Sequence, residues 1–263
     1  MYKETDFDAI ALMGAISLSE MSSVSLMNRT DTKFITTVAV LKDILSDAVG
    51  CGYRVCEIDG QRLMGYASLY YDTPDLKMFT AHRNGKKTRQ KVRVRTYLTG
   101  GDTFLEIKRK NNHGRTKKKR IRISQDVFMN FGEDPDAAAF LEEKSWWKHE
   151  DITPSTTTDF ERFTLVNKEM TERLTIDLNI RFRNIRSGRC SGLTDLVIIE
   201  LKQDGRKVSD MRKILLEHRV FPFRISKYCM GITLTDDSAR PGRFIEKVRY
   251  VEKLTGNRLY DRT

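Results

Sequence analysis

Charged side chains stand at every second position through segment after segment of this chain. Arg29, Asp31 and Lys33 lead into Phe34-Ile35, Arg93 and Arg95 alternate with Val92 and Val94, and Glu106 and Lys108 alternate with Leu105 and Ile107. The same rhythm sets Arg173, Thr175 and Asp177 against Leu174, Ile176 and Leu178, and Glu200 and Lys202 against Ile199 and Leu201. Successive side chains of a strand point to opposite faces, so each segment puts its charges on one face and its apolar groups on the other. One such strand describes any sheet with a solvated face. Several together, with Arg and Lys repeated two residues apart, describe something narrower. Like charges so placed repel one another unless something anionic sits between them. If these faces meet, they form a cationic cavity with acidic groups in it.

The 263 residues hold one large domain or two small ones, and no proline-rich or glycine-rich linker divides them. A charged fraction of 32% exceeds the usual quarter, and the net charge of +11 implies an anionic partner. Charge alone leaves nucleic acid, acidic lipid and polyphosphorylated molecules open. Cys51, Cys56, Cys190 and Cys229 form no CxxC pair and read as reduced thiols in a cytosolic protein. The four histidines show no zinc-binding spacing. The N-terminus makes a poor signal peptide, and no segment approaches the ~20 apolar residues of a membrane span. A cytoplasmic chain without a transmembrane segment is expected.

Periodicity predicts helices over 6–20, 38–49, 76–82, 208–218 and 244–254, with helical patterning in 125–150. Strands are expected over 28–35, 63–72, 88–98, 103–110, 115–124, 156–166, 172–182 and 194–203, with a last strand or turn ending near Thr235. Gly100-Gly101-Asp102 and Asn111-Asn112-His113-Gly114 mark hairpins. Ser209-Asp210 are plausible caps. The expected fold is α+β: one domain spanning 1–263, with peripheral helices packed around a closed or nearly closed β-barrel of about eight mostly antiparallel strands. Trp146 and Trp147 read as core residues rather than a base-stacking platform.

A face that merely bound nucleic acid would gain nothing from Glu106, Asp177 and Glu200 among its cations. Mg²⁺ or Mn²⁺ needs oxygen ligands and is usually held by one or two carboxylates plus substrate phosphates. Glu200 is the strongest candidate because it sits in the apolar run Val197-Ile198-Ile199-Glu200-Leu201, where an unpaired charge is costly; the competing reading is a salt bridge to Lys202 or an Arg. Glu106 and Asp177 are further candidates. In Thr116–Arg122, Lys118, Arg120 and Arg122 point one way and are expected to line the cavity, with Lys117 and Lys119 outward.

These motifs together resemble the catalytic domain of the vacuolar transporter chaperone (VTC) polyphosphate polymerases, in the triphosphate tunnel metalloenzyme (CYTH-like) superfamily. The resemblance rests on R-x-D-x-K-F at Arg29–Phe34, S-L-Y-Y-D-T-P at Ser68–Pro74, V-R-V-R at Val92–Arg95 and E-I-K-R-K at Glu106–Lys110. It continues through K-x-R at Lys118–Arg120, E-R-F at Glu161–Phe163, R-L-T-I-D at Arg173–Asp177, I-E-L-K at Ile199–Lys202 and R-I-S-K-Y at Arg224–Tyr228. It implies an antiparallel closed β-tunnel with its core over about 25–235, in which Lys33, Arg93, Arg95, Lys108, Arg173 and Lys227 are catalytic phosphate ligands. It also implies that Arg29, Lys118, Arg120, Arg162 and Lys202 assist in binding substrate, and that Glu200 holds Mn²⁺ or Mg²⁺. The implied activity moves the γ-phosphoryl group of ATP onto a growing inorganic polyphosphate. The first strand lacks the E-x-E-x-K motif of tunnel triphosphatases, which argues against simple hydrolysis. A tunnel triphosphatase and a non-catalytic polyphosphate-binding module are the rivals. Specific nucleic-acid binding ranks lowest, because no aromatic-interleaved single-strand platform is present; docking on a membrane partner stays open.

Overall fold

The alternation resolves into one sheet with two different faces. The computed structural model describes residues 1–22, 29–205 and 208–260. The strands are β1 (Ala15–Ile16), β2 (Arg29–Thr37), β3 (Arg54–Cys56), β4 (Met64–Asp72), β5 (Arg89–Tyr97), β6 (Thr103–Lys110), β7 (Thr116–Ile123), β8 (Thr153–Val166), β9 (Glu172–Asn184), β10 (Cys190–Leu193) and β11 (Leu196–Asp204). The helices are α1 (Asp8–Leu12), α2 (Leu18–Ser22), α3 (Val38–Gly50), α4 (Lys77–Arg83), α5 (Pro135–Lys144), α6 (Asp210–Glu217), α7 (Lys227–Thr235) and α8 (Phe244–Thr255). Eight strands make a continuous antiparallel path, β2-β11-β9-β8-β4-β5-β6-β7.

This sheet curls. Lys108 on β6 lies in the field of Glu200 on β11 and Lys33 on β2. In a flat sheet those strands would stand about 24–29 Å apart, far beyond the roughly 8–10 Å over which salt water screens charge. The expected tunnel of about eight antiparallel strands is therefore present. It is not sealed: β2 and β7, the ends of the path, share no ladder among the described residues. Phe223 covers part of the β2 edge by donating its N–H to the Lys33 carbonyl at 2.7 Å.

Outside, α3 and α6 cover one half of the sheet, packing Leu41, Ile44, Leu45 and Leu215 on Leu174, Ile176, Val197 and Ile199. Each such buried side chain is worth about 1.5–3 kcal/mol. Thr37 and Ser209 cap these helices, as Ser209 was expected to do. The other half is covered by α5, whose Ala137 and Leu141 meet Val92, Val94, Leu105 and Ile107. Inside, α7 lies on the concave face, with Tyr228, Met230 and Ile232 among Tyr70, Phe160, Phe182 and Ile198. A Cβ at Gly231 would meet the Phe182 ring at 2.9 Å, so glycine permits this close approach.

Three expectations are corrected. The helix expected over 6–20 is α1, then β1, then α2: Gly14 and Ile16 give their carbonyls to Val55 and Glu57, each at 3.0 Å, and strand pairing replaces helix there. The strand or turn ending near Thr235 is α7; it is buried all round, which removes the 3.6-residue stripe that marks a surface helix. Trp146 is not core: it is 44% exposed, with the Arg109 guanidinium 4.8 Å from its ring. The short strands β3 and β10 carry too few residues to show a period. The helix over 244–254 is present as α8 and packs Phe244, Val248 and Val251 into the same core as α7.

Asp72 holds α4 and α7 together. Its buried carboxylate accepts the N–H groups of Thr73, Met78 and Phe79, each at 2.8 Å, and the Tyr228 hydroxyl. Asp72→Ala leaves these donors without an acceptor, at about 1–3 kcal/mol for a buried group left unsatisfied. Chemical denaturation should show a loss on the order of 3 kcal/mol, whereas Asp75→Ala, on the exposed side of the turn, should cost far less.

Candidate active site

The concave face collects its charges through strand register. Arg93 on β5 stands opposite Glu106 on β6, Lys91 opposite Lys108, and Lys108 opposite Lys118 on β7. Across the sheet, Glu200 stands between Lys33 on β2 and Thr175 on β9, and Lys202 opposite Arg173. Arg162 on β8 faces Asp177. At the N-terminus of α7, Ser226 accepts from the Lys91 ammonium at 2.8 Å, and Lys227 reaches Asp177.

Three carboxylates divide the cations among them. Glu106 takes Arg93 Nε at 2.8 Å and Lys118 Nζ at 2.6 Å. Asp177 takes Arg162 through two nitrogens, one at 2.9 Å, and Lys227. Glu200 takes Lys33 at 2.8 Å and Lys202 at 2.6 Å. Burial alone would raise all three carboxyl groups, but the paired cations outweigh it and hold each well below the usual carboxylate range. Lys108 makes no ion pair among the described residues, and Arg95 donates Nε to Ser68 Oγ at 2.9 Å. An aromatic floor lies beneath: Tyr66 stacks on Phe160 with ring centroids 5.1 Å apart, and Arg95, Arg162 and Lys227 lie over the Phe160 ring.

Charge is left over. Among the described residues, Lys33, Lys91, Arg93, Arg95, Lys108, Lys118, Arg162, Lys202 and Lys227 outnumber the carboxylates of this face, Glu106, Asp177 and Glu200 with Asp31 opposite Lys202. The excess shows in proton affinities. Arg93, then burial, pulls Lys108 well below the ordinary lysine range. Burial takes Arg95 down to about 10, with Arg93 adding to it, and takes Lys227 down to about 8 against the opposing pull of Asp177. The Tyr70 hydroxyl, which accepts from Arg93 at 3.1 Å, comes down to about 8 because Arg93, Arg95 and Lys91 together outweigh its burial. Such an array is stabilised by an added polyanion.

Most of the anticipated site residues meet here: Lys33, Arg93, Arg95, Lys108, Lys118, Arg162, Lys202, Lys227, Glu106, Asp177 and Glu200. Arg173 shares the concave face of β9, toward Cys56. Arg120 stands at the rim, its guanidinium 4.3 Å from the Phe104 ring. Arg122 turns away to Asp102. The side chain of Arg29 lies outside the described residues. Among the carboxylates, Glu106 and Asp177 are 0% and 4% exposed and committed to cations, so they act as anchors; Glu200 is 21% exposed and is the one open to a ligand. Glu142, His149 and Glu150 form a separate group on α5 and the turn after it, away from this face.

Sequence reasoning passed over Lys91, Tyr70, Ser68 and Ser226. Lys91 was legible, because it continues the Arg93–Arg95 alternation. Tyr70, Ser68 and Ser226 carry no charge pattern, and Ser226 acquires its position only as the cap of α7.

A curled antiparallel sheet with cations and carboxylates on its inner face defines the triphosphate-tunnel, CYTH-like class of folds. The sequence matches the VTC domain over residues 28–235, and the chain belongs to that family. Among solved structures it is similar to a Hippeastrum candidate adenylyl cyclase described as revealing a dominant triphosphatase activity, with a TM-score of 0.50 and 14% identity over 79% of this chain and 96% of that one. Candidate adenylate cyclases from Bacillus halodurans (TM-score 0.46, 13% identity, 76% and 96% covered) and Vibrio parahaemolyticus (0.43, 10%, 77% and 96%) are also similar. No curated protein matches. No described helix is long and apolar enough to cross a membrane.

Lys227 binds an anion only while protonated, so affinity should be full well below pH 8 and fall as pH rises through about 8. Tyr70 acts in the same window and sense, since its phenolate repels the ligand. Triphosphate dissociation constants measured from pH 7 to 9.5 should rise with an inflection near 8. The double variant Lys227→Arg/Tyr70→Phe should lose that part of the rise and retain the titration of the ligand and of the remaining lumen lysines, Lys108 first among them. Parallel profiles would refute the assignment.

Proposed function

We propose that this protein is a metal-dependent phosphotransferase that moves the γ-phosphoryl group of ATP onto inorganic polyphosphate and releases ADP. The observation that carries this reading is the pairing of surplus cations with carboxylates too acidic to act as bases. Glu106, Asp177 and Glu200 are held far below the proton affinity needed to activate water, and Lys227 and Tyr70, near 8, are mostly protonated at neutral pH. A terminal phosphate is already an anionic nucleophile and needs no base. Membership of the VTC domain family supports the same choice.

Phosphoryl transfer asks mainly for alignment and charge neutralisation. Arg93 and Arg95 are largely buried and fixed by Glu106, Tyr70 and Ser68, so their guanidinium groups offer preset donors to phosphate oxygens. Lys33 and Lys227, each held by a carboxylate, and Lys108 supply charge from three other elements and draw two polyanions together. Lys118 and Arg162 complete the wall, each braced by a carboxylate. Glu200 fits a divalent cation of the Mn²⁺ or Mg²⁺ type, because it is an accessible hard oxygen donor beside phosphate-binding cations. When bound, such an ion supplies further charge neutralisation at phosphate oxygens. Lys33 and Lys202 each hold one Glu200 oxygen and so set the orientation of the carboxylate.

Incubation with ATP and Mn²⁺ or Mg²⁺, followed by separation of polymer, ADP and orthophosphate, tests the reading. Polymer and ADP are expected. Orthophosphate without polymer would select a triphosphatase, and unconsumed ATP a binding module. Glu200→Gln should lower turnover by about 10²-fold or more and leave triphosphate affinity within a few-fold; wild-type turnover in that variant would refute the metal assignment.

A further inference from the structure

Five cations lie just outside the lumen, where α7 begins, and nothing in the proposed reaction uses them. Arg89 stands two residues before Lys91 on β5 and opposite Lys110 on β6. Arg224 precedes the Ser226 cap of α7. Arg243 immediately precedes α8, and Lys247 lies on its first turns. Their electrostatic neighbours link them into one group: Lys110 feels Arg89 and Arg224, Arg89 feels Arg243, and Lys247 feels Arg243 and Arg224.

The side chains of Arg89, Arg243 and Lys247 are held rather than loose. Lys247 donates to the Arg224 carbonyl at 2.5 Å and lies 4.8 Å from the Phe223 ring. Arg243 donates to the His82 carbonyl at 2.7 Å, with its guanidinium seated over Gly85, where a Cβ would meet it at 2.7 Å. Arg89 donates to the Lys86 carbonyl at 2.6 Å, and Lys91 to Ser226 Oγ at 2.8 Å. Every one of these contacts uses a neutral acceptor. Inside the lumen the pattern is different, because the carboxylates there each hold two cations. Outside it, none of Arg89, Lys110, Arg224, Arg243 and Lys247 makes an ion pair among the described residues, and Glu246 is the carboxylate felt by Lys247. A row in which cations outnumber carboxylates, running outward from the lumen, matches an anion that is long as well as charged.

We infer that the polyanion site does not end at the tunnel mouth but continues over a ledge built by Arg89, Lys110, Arg224, Arg243 and Lys247, which holds the part of a linear polyphosphate that the lumen cannot contain. The inference rests on the reading of the lumen as a polyphosphate site. Two of the ledge residues lie beyond residue 235, where the VTC domain match ends. Lys91 joins the two parts, as a lumen side chain at the inner end of the row. Short ligands reach only the lumen cations; long ones engage both.

The test compares triphosphate with polyphosphate several tens of units long, by competition binding at several salt concentrations. Arg243→Gln/Lys247→Gln should weaken the long chain about tenfold, lower its salt slope by about one per cation removed, and leave triphosphate within twofold. The charge-retaining Arg243→Lys/Lys247→Arg variant should recover most of the loss and so controls for folding. Equal loss of both ligands, or none of either, overturns the ledge. So does a double variant that keeps long polyphosphate but no longer binds phosphatidylserine–phosphatidylcholine vesicles or a single-stranded oligonucleotide bound by the wild type. If the wild type makes no polymer from ATP yet long-chain affinity still depends on Arg243 and Lys247, the polymerase reading falls and the ledge stands.

Discussion

The concave face depends on three carboxylates, each placed between two cations. Without Glu106, Asp177 and Glu200, the inner face would gather nine positive side chains in a partly buried space, and their repulsion would oppose the curl of the sheet. A buried ion pair seldom adds net stability, because desolvation offsets most of the attraction. Here its effect is on position. Each carboxylate fixes two cations from different elements, and Asp177 fastens β9 to the N-terminus of α7 through Lys227. The surplus is left facing the lumen, where a ligand can use it.

The divided pairing also explains how similar residues acquire different work. All three carboxylates arise from the same alternating pattern, and all are pushed to low proton affinity. Exposure separates them. Glu106 and Asp177 are closed off and act as braces, while Glu200 lies partly open beside Lys33 and Lys202. Among the cations, Arg93 and Arg95 are buried and rigid, and Lys108 reaches into solvent. Rigid donors and movable charges together suit a reaction in which one polyanion stays held while another arrives.

Much of this was legible from residues two apart. The alternation of Val92–Arg95 and Leu105–Lys108 told both which side chains share a face and that the other face is covered, because period two has only one reading in a strand. Convergence was less direct, since it depends on curling that no local pattern encodes. Where the sequence misled, burial was the reason. The apolar residues of α7 are buried on every side, so they show no helical stripe and resemble a strand, and that hid the cap that presents Ser226 and Lys227. In 6–20, Ile10, Met13 and Ile16 keep helical spacing, yet Ile16 belongs to a strand because the β3 edge offers it a partner. Trp146 looked like core by size alone, but its surroundings on the outer face are Arg109 and solvent.

Among the described residues β2 and β7 share no ladder, which carries a consequence for how the proposed polyphosphate would be held. A sealed cylinder would trap a threaded chain by topology, and release would require the whole length to slide out through an end. A sleeve with a slit has no such knot to undo. A bound chain can peel away sideways, segment by segment, and only electrostatic attraction resists it. Retention of a polyphosphate would then rest on the number of cations it engages and fall as ionic strength rises, so the proposed polymerase would be more or less processive according to the salt around it.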